Sequence, residues 1–152
     1  MYQDSFESPI GPVTISSQDG ESICEIAFAE PDGYPSCNVT SIGKQQLIEY
    51  FNRQRQQFDL PLTPAGTEFQ QRVWKQLATL EYGQLASYKD IAVAIGNPKG
   101  NRAVGMANGR NPIAIVVPCH RVIGADGSIT GYTGGIEKKA FLLRHEGAAF
   151  FD

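Results

Sequence analysis

Between Ile115 and Gly124 the chain reads IVVPCHRVIG, and this short run restricts the fold more than any other stretch. β-Branched residues favour a pleated, half-buried strand, so IAIVV (113–117) is expected to be one. Pro118 fixes its own φ and removes a backbone donor, which ends the strand there. Cys119, His120 and Arg121 follow without a spacer, before Val122-Ile123-Gly124 restores the apolar character. A thiol is thereby placed where a strand gives way to a loop, where functional side chains concentrate.

Free cysteine is among the most buried residue types, and Cys24 and Cys37 are read that way. Cys119 differs because His120 and Arg121 supply neighbouring positive charge, which favours a thiolate. Adjacency is not catalytic geometry, since successive side chains of an extended chain point apart. Using His120 as base needs a bend or a bridging water. A base also needs an orienting group, and the candidates are Glu146 in RHEG and Asp126.

Three cysteines, an odd number and widely spaced, argue against a disulfide framework and for reduced thiols inside a cell. No C-x-x-C pair exists, and His120 and His145 lie far along the chain from Cys24 and Cys37, so no metal site is expected. The start, MYQDSFESPIGPV, lacks the basic and apolar character of a signal peptide. No apolar run approaches the roughly 20 residues of a membrane span. A soluble, cytoplasmic protein is expected.

The net charge of −3 divides unevenly, with −6 in residues 1–63 and +3 in residues 64–152. Residues 91–125 hold Lys99, Arg102, Arg110 and Arg121 and no acidic residue. Such a zone suits a polyanion at one face, though chance surface composition accounts for it equally well.

The first half predicts strands in SPIGPVTISSQ (8–18) and ICEIAFAE (23–30), joined by the turn SQDGES. A helix is expected in SIGKQQLIEYFNRQRQQF (41–58), from the spacing of Leu47, Ile48, Tyr50, Phe51 and Phe58. DLPLTPAG (59–66), with two prolines and a glycine, is the candidate linker. Thr67 then caps TEFQQRVWKQLATL, with Phe69, Val73, Trp74, Leu77 and Leu80 on one stripe. Ser87 caps a second helix closed by Gly96, and NRAVGMANG (101–109) forms a third. GADGSITGYTGG is a glycine-rich loop, and IEKKAFLLRHEG a last helix closed by Gly147. Expected, therefore, is an α+β protein: a small N-terminal sheet-and-helix domain (1–60), a linker (61–66) and a mostly helical C-terminal domain (67–152). Two short helices joined by a turn, the second basic, read as a winged-helix-like helix-turn-helix. Ala103, Gly105, Ala107 and Gly109 would allow close approach to another surface, or ordinary helix packing.

PCHRVIG, preceded by NRAVGMANGRNPIAIVV and followed by GYTGG and LLRHEG, resembles the O6-alkylguanine-DNA alkyltransferases. With GTEFQQRVWKQL and YGQLASYKDIAVAIGNPKGNRAVG the likeness runs without a gap from about Gly66 to Gly147, while residues 1–60 are similar only in length and strand content. The resemblance implies a cofactor-free, monomeric protein. It would act on double-stranded DNA from the minor-groove side and move the alkyl group of O6-alkylguanine, and of O4-alkylthymine, irreversibly onto its own cysteine.

By position, the resemblance makes Cys119 the nucleophile, His120 its base through a water and Glu146 the orienting carboxylate. It makes Asn111 the brace of the turn and Tyr88 the group that stacks near the extruded nucleotide and donates a proton. Arg102 becomes the wedge that replaces the flipped base, with Ala103, Gly105, Ala107, Asn108 and Gly109 at the DNA. Val122, Tyr132, Thr133 and Met106 become the substrate pocket. Some relatives bind zinc through residues this chain lacks, and none is expected here. Others carry tryptophan in place of the cysteine and only flag lesions; Cys119 marks this chain as reactive. No cysteine-rich regulatory domain is present, so a self-methylating activator is not expected. A helix-turn-helix protein that holds lesions without reacting, and a cysteine hydrolase, are the competing readings.

Overall fold

The computed structural model describes residues 1–132 and 134–150, and the fold is mixed α+β. The chain forms two compact units: Met1–Ala65 with Pro112–Ala114, and Gly66–Asn111 with Ile115–Asp152.

In the first unit, β1 (Tyr2–Ser8) and β2 (Gly11–Ser17) pair antiparallel, and β2 pairs with β3 (Glu25–Ala27). The β1–β2 turn closes on the Ser8↔Gly11 pair; Gly11 takes φ +104°, and Ser8 Oγ donates to its carbonyl. β2 is central, and its last five residues are buried, as expected for a strand covered on both faces. Helix α1 (Asn38–Phe51) packs on β1 and β2 over a core of Val13, Ile15, Ile23, Ile26, Leu47 and Tyr50. Ile26 also bonds the carbonyl of Pro112 and accepts from Ala114, while Ile23 bonds Pro61 and Thr63 within the stretch read as a linker.

Two local expectations change here. β1 falls where Gln3, Asp4, Ser5 and Glu7 break the apolar pattern; as an edge strand it needs one buried face only. The helix expected over 41–58 starts three residues earlier, at Asn38, and stops at Phe51. Arg53, at φ +63°, turns the chain out of it.

The second unit is helical. Helix α2 (Glu68–Leu77) and helix α3 (Tyr88–Ala94) both open on complete capping boxes, Thr67 with Gln70 and Ser87 with Asp90. Helix α4 (Asn101–Gly109) packs on both of them, and Trp74 Nε1 on α2 donates to the Ala107 carbonyl at 2.9 Å. Gly66 is required beside that ring, because a Cβ there would meet it at 2.4 Å. β4 (Ala86–Ser87) runs parallel to β5 (Val122–Ile123), which sets the start of α3 beside the turn that follows Pro118. Helix α5 (Ile136–His145) closes the unit, and Gly147 leaves it at φ +76°.

The strand expected over 113–117 does not form. Ile113 makes one isolated bridge, the chain turns through 114–116, and Ile115 takes φ +71°, a backbone region that β-branched residues rarely adopt. Burial of Ile113, Ile115 and Val117 explains the apolar run without a ladder: the residues serve the core from a turn.

Trp74→Phe removes the indole donor and part of a buried ring. It should lower unfolding free energy by about 1–3 kcal/mol, measured by urea denaturation of the full chain. A loss below about 0.5 kcal/mol would show that this bond does not hold α2 to α4.

Candidate functional site

Cys119, His120 and Arg121 form a single 3-10 turn, not the end of a strand, and all three are buried. The turn resolves the adjacency problem by curling the backbone, so His120 and Arg121 both reach one carboxylate. Glu146, the residue that ends α5, has a fully buried side chain. Its Oε2 lies 2.8 Å from His120 Nε2 and accepts from Arg121 Nη2 at 3.0 Å. Its Oε1 accepts from Arg121 Nε at 2.8 Å and from the backbone N–H of Gly83 at 3.3 Å. Arg121 Nη1 donates in addition to the Leu80 carbonyl at 2.6 Å. Asp126, the other candidate carboxylate, instead bonds Ser128 in an exposed turn.

Burial alone would raise the Glu146 carboxyl, but the bonds and charges of His120 and Arg121 outweigh it and hold it well below the usual range. An ionised acceptor at Nε2 fixes the tautomer: Nε2 carries the hydrogen and Nδ1 the lone pair. Burial lowers the His120 pKa more than Glu146 raises it, so the ring stays neutral. Nδ1 is buried with no hydrogen-bond partner, the arrangement of a base with its lone pair available.

The thiol is not pre-ionised by its neighbours. Burial pushes the Cys119 pKa up, against smaller opposing effects from an Asn111 hydrogen bond and the Lys139 charge. The positive charge expected from Arg121 is taken up by Glu146, and His120 contributes none. Reaction at this sulfur therefore needs a base to remove its proton.

Asn111 Nδ2 donates to the Val117 carbonyl at 2.8 Å, bracing the turn before Cys119. Lys139 was not singled out by the sequence reading, yet it is fully buried and donates to the carbonyls of Val122 at 2.6 Å and Thr130 at 2.7 Å. Burial lowers its pKa to about 8. A signal existed: Lys139 falls three and four residues before Leu142 and Leu143, on the buried stripe of α5. Tyr132 is near enough for the charges of Cys119 and Glu146 to act on it, and burial raises its pKa well above 10. Thr133 lies outside the described residues.

Tyr88, the first residue of α3, places its hydroxyl 3.1 Å from Thr130 Oγ1. It lines an open groove of about 560 Å³ together with Ser87, Asn101, Arg102, Gly105 and Met106. Arg102, Ala103 and Gly109 are exposed, and Met106 is 62% exposed. Ala107 and Asn108, expected at the DNA surface, are instead buried at 3% exposure each. The helical repeat turns them onto the face shared with Val104, toward the interior of the unit. Among the described residues no cluster of His, Cys, Asp or Glu could hold a metal, and no helix is long and apolar enough to cross a membrane.

Residues 68–148 match the family model described as 6-O-methylguanine DNA methyltransferase, DNA binding domain, and residues 1–64 the one described as its ribonuclease-like domain. The chain belongs to the 6-O-methylguanine DNA methyltransferase family. Among its relatives, the methylated-DNA--protein-cysteine methyltransferase of Methanosarcina barkeri is 45% identical over 96% of this chain and 97% of that protein. The one from Mycobacterium bovis is 47% identical over 96% and 92%. A crystal structure of Mycobacterium tuberculosis OGT in complex with DNA superposes with a TM-score of 0.89, at 46% identity, over 96% of this chain and 92% of that one. Family membership covers both units, including the first, where the sequence motifs alone were weak.

The buried Glu146–His120 pair has a pH signature. Unfolding frees His120 to take up a proton below its ordinary 6.5 and Glu146 to take one up below 4.5, which the folded state resists. Stability should therefore fall as pH drops from 7 through 5, first through His120, and fall further below 4.5. His120→Asn should flatten the upper part of that curve in thermal melts. A wild-type melting temperature constant from pH 7 to 5 would contradict the neutral, buried histidine.

Proposed function

We propose that the protein reverses alkylation damage in DNA by moving the alkyl group of O6-alkylguanine, and of O4-alkylthymine, onto Sγ of Cys119. The observation that carries this reading is the buried thiol beside a neutral histidine whose free Nδ1 is set by an ionised Glu146. His120 Nδ1 takes the Cys119 proton, through a bridging water. The sulfur attacks the alkyl carbon, the C–S bond forms as the C–O6 bond breaks, and the bonding pair passes into the guanine ring. The base then takes up a proton, supplied by the Tyr88 hydroxyl, and solvent restores both proton carriers. The product is a thioether on Cys119, so each molecule acts once.

Burial decides how the substrate arrives. At 4% exposure the thiol cannot meet an alkyl carbon stacked in a duplex, and Cys119 does not line the open groove. The damaged nucleotide must leave the stack, at a cost of a few kcal/mol that is smaller for a poorly paired base. Arg102, exposed on that groove, fills the gap from the minor-groove side, with Ala103, Gly105 and Gly109 allowing close backbone approach. Val122, Tyr132 and Met106 surround the base. Such a helix reads few base edges, as suits repair without sequence preference. All three cysteines are free, which fits a reducing cytoplasm.

Incubation with a duplex containing O6-methylguanine should add one methyl group to the Cys119 peptide, saturating at one per protein by intact mass. Cys119→Ser should bind the duplex and show no transfer. Unmodified wild-type protein that still prefers damaged duplex would replace this reading with lesion binding alone. For the wedge, Arg102→Ala should slow repair of duplex by at least about tenfold while attack on free O6-benzylguanine changes little. Equal losses on both substrates would remove that assignment.

A further inference from the structure

Asn108 lies on the buried face of α4, 3% exposed, between the apolar Val104 and Ala107 and the turn that bears the nucleophile. Its Nδ2 donates to the carbonyl of Cys119 at 3.3 Å. A carbonyl only accepts, so the amide nitrogen must face it, and Oδ1 is committed to the other side. There Oδ1 is buried with no hydrogen-bond partner. A buried acceptor left unpaired opposes folding, and an apolar residue of similar size would fill this place without that cost. Stability does not account for the amide.

The Cys119 turn does need an anchor. A 3-10 segment of three residues has almost no hydrogen-bond ladder of its own. Its backbone is held at Cys119 N–H by the Val117 carbonyl, at Val117 by Asn111 Nδ2, and at the Cys119 carbonyl by Asn108. The Cys119 carbonyl also accepts from the Val122 N–H and the thiol is bonded by Asn111, but the Asn108 bond ties the nucleophile's own peptide to α4, the helix that carries Arg102. We infer that Asn108 is a positioning residue for the nucleophile, whose amide fixes the Cys119 peptide to helix α4 and so sets the direction of the thiol. The inference rests on the alkyl-transfer reading and adds to it a residue that touches neither DNA nor the alkyl group.

Asn108→Leu removes the donor and the unpaired acceptor together. Its melting temperature should equal or exceed that of the wild type, while transfer slows at least about tenfold with both an O6-methylguanine duplex and free O6-benzylguanine. The two losses should be alike, because the thiol itself is misaimed. Asn108→Ala supplies the same comparison of rates should the leucine variant not fold. Unchanged rates, with or without a lower melting temperature, would make Asn108 a packing residue and overturn the inference. Loss confined to the duplex would make it a DNA-directed residue and overturn it too. Wild-type protein that takes an alkyl group from neither substrate would overturn the transfer reading, and the inference with it.

Discussion

The Glu146 carboxylate is the interaction on which the second unit's chemistry depends. It collects four donors from three residues: His120, Arg121 twice, and the backbone of Gly83. A buried carboxylate is tolerable only when charge and hydrogen bonds are both met. Arg121 meets the charge, which leaves His120 to act as a neutral donor. Were Arg121 absent, the carboxylate would draw the compensating proton onto His120, and an imidazolium cannot serve as a base. The arginine of the PCHR tetrapeptide thus keeps the histidine usable.

The same logic separates reactivity from accessibility. Burial pushes the thiol up and holds the histidine neutral, so the resting site is uncharged at sulfur and imidazole. In the proposed reaction, proton transfer between them creates the charged pair only as the sulfur attacks the alkyl carbon. Cys24 and Cys37, both half-buried, instead hydrogen-bond the Ser16 carbonyl and the Thr40 hydroxyl.

Local signals in the sequence were legible where they acted locally. Thr67 and Ser87 announce their helices because capping needs only the next three residues. Gly96 and Gly147 announce their ends because only glycine takes the left-handed turn cheaply. The IAIVV run misled for the opposite reason: β-branched composition reports burial, and here the burial is that of a turn. β1 was not legible because Gln3, Asp4, Ser5 and Glu7 interrupt the apolar alternation, and it is an edge strand whose ladder bonds all go to β2. At the site, residue types and positions of Cys119, His120 and Glu146 were visible, but the partner of Arg121, the burial of Lys139 and the inward turn of Asn108 were not. Each of those depends on which way a helix faces, and that is settled by long-range packing.

Single use follows from where the thiol sits as much as from what it forms. A thioether has no polarised bond to carbon that a neutral histidine and a water can cleave, unlike the ester or thioester of a hydrolase. Regeneration would need a second nucleophile aimed at the same carbon. Among the described residues, Asn111 and Lys139 act on the Cys119 thiol and Asn108 holds its carbonyl, each through a hydrogen-bond donor. In the proposed reaction these donors orient one transfer, and a group that only donates cannot serve as that second nucleophile.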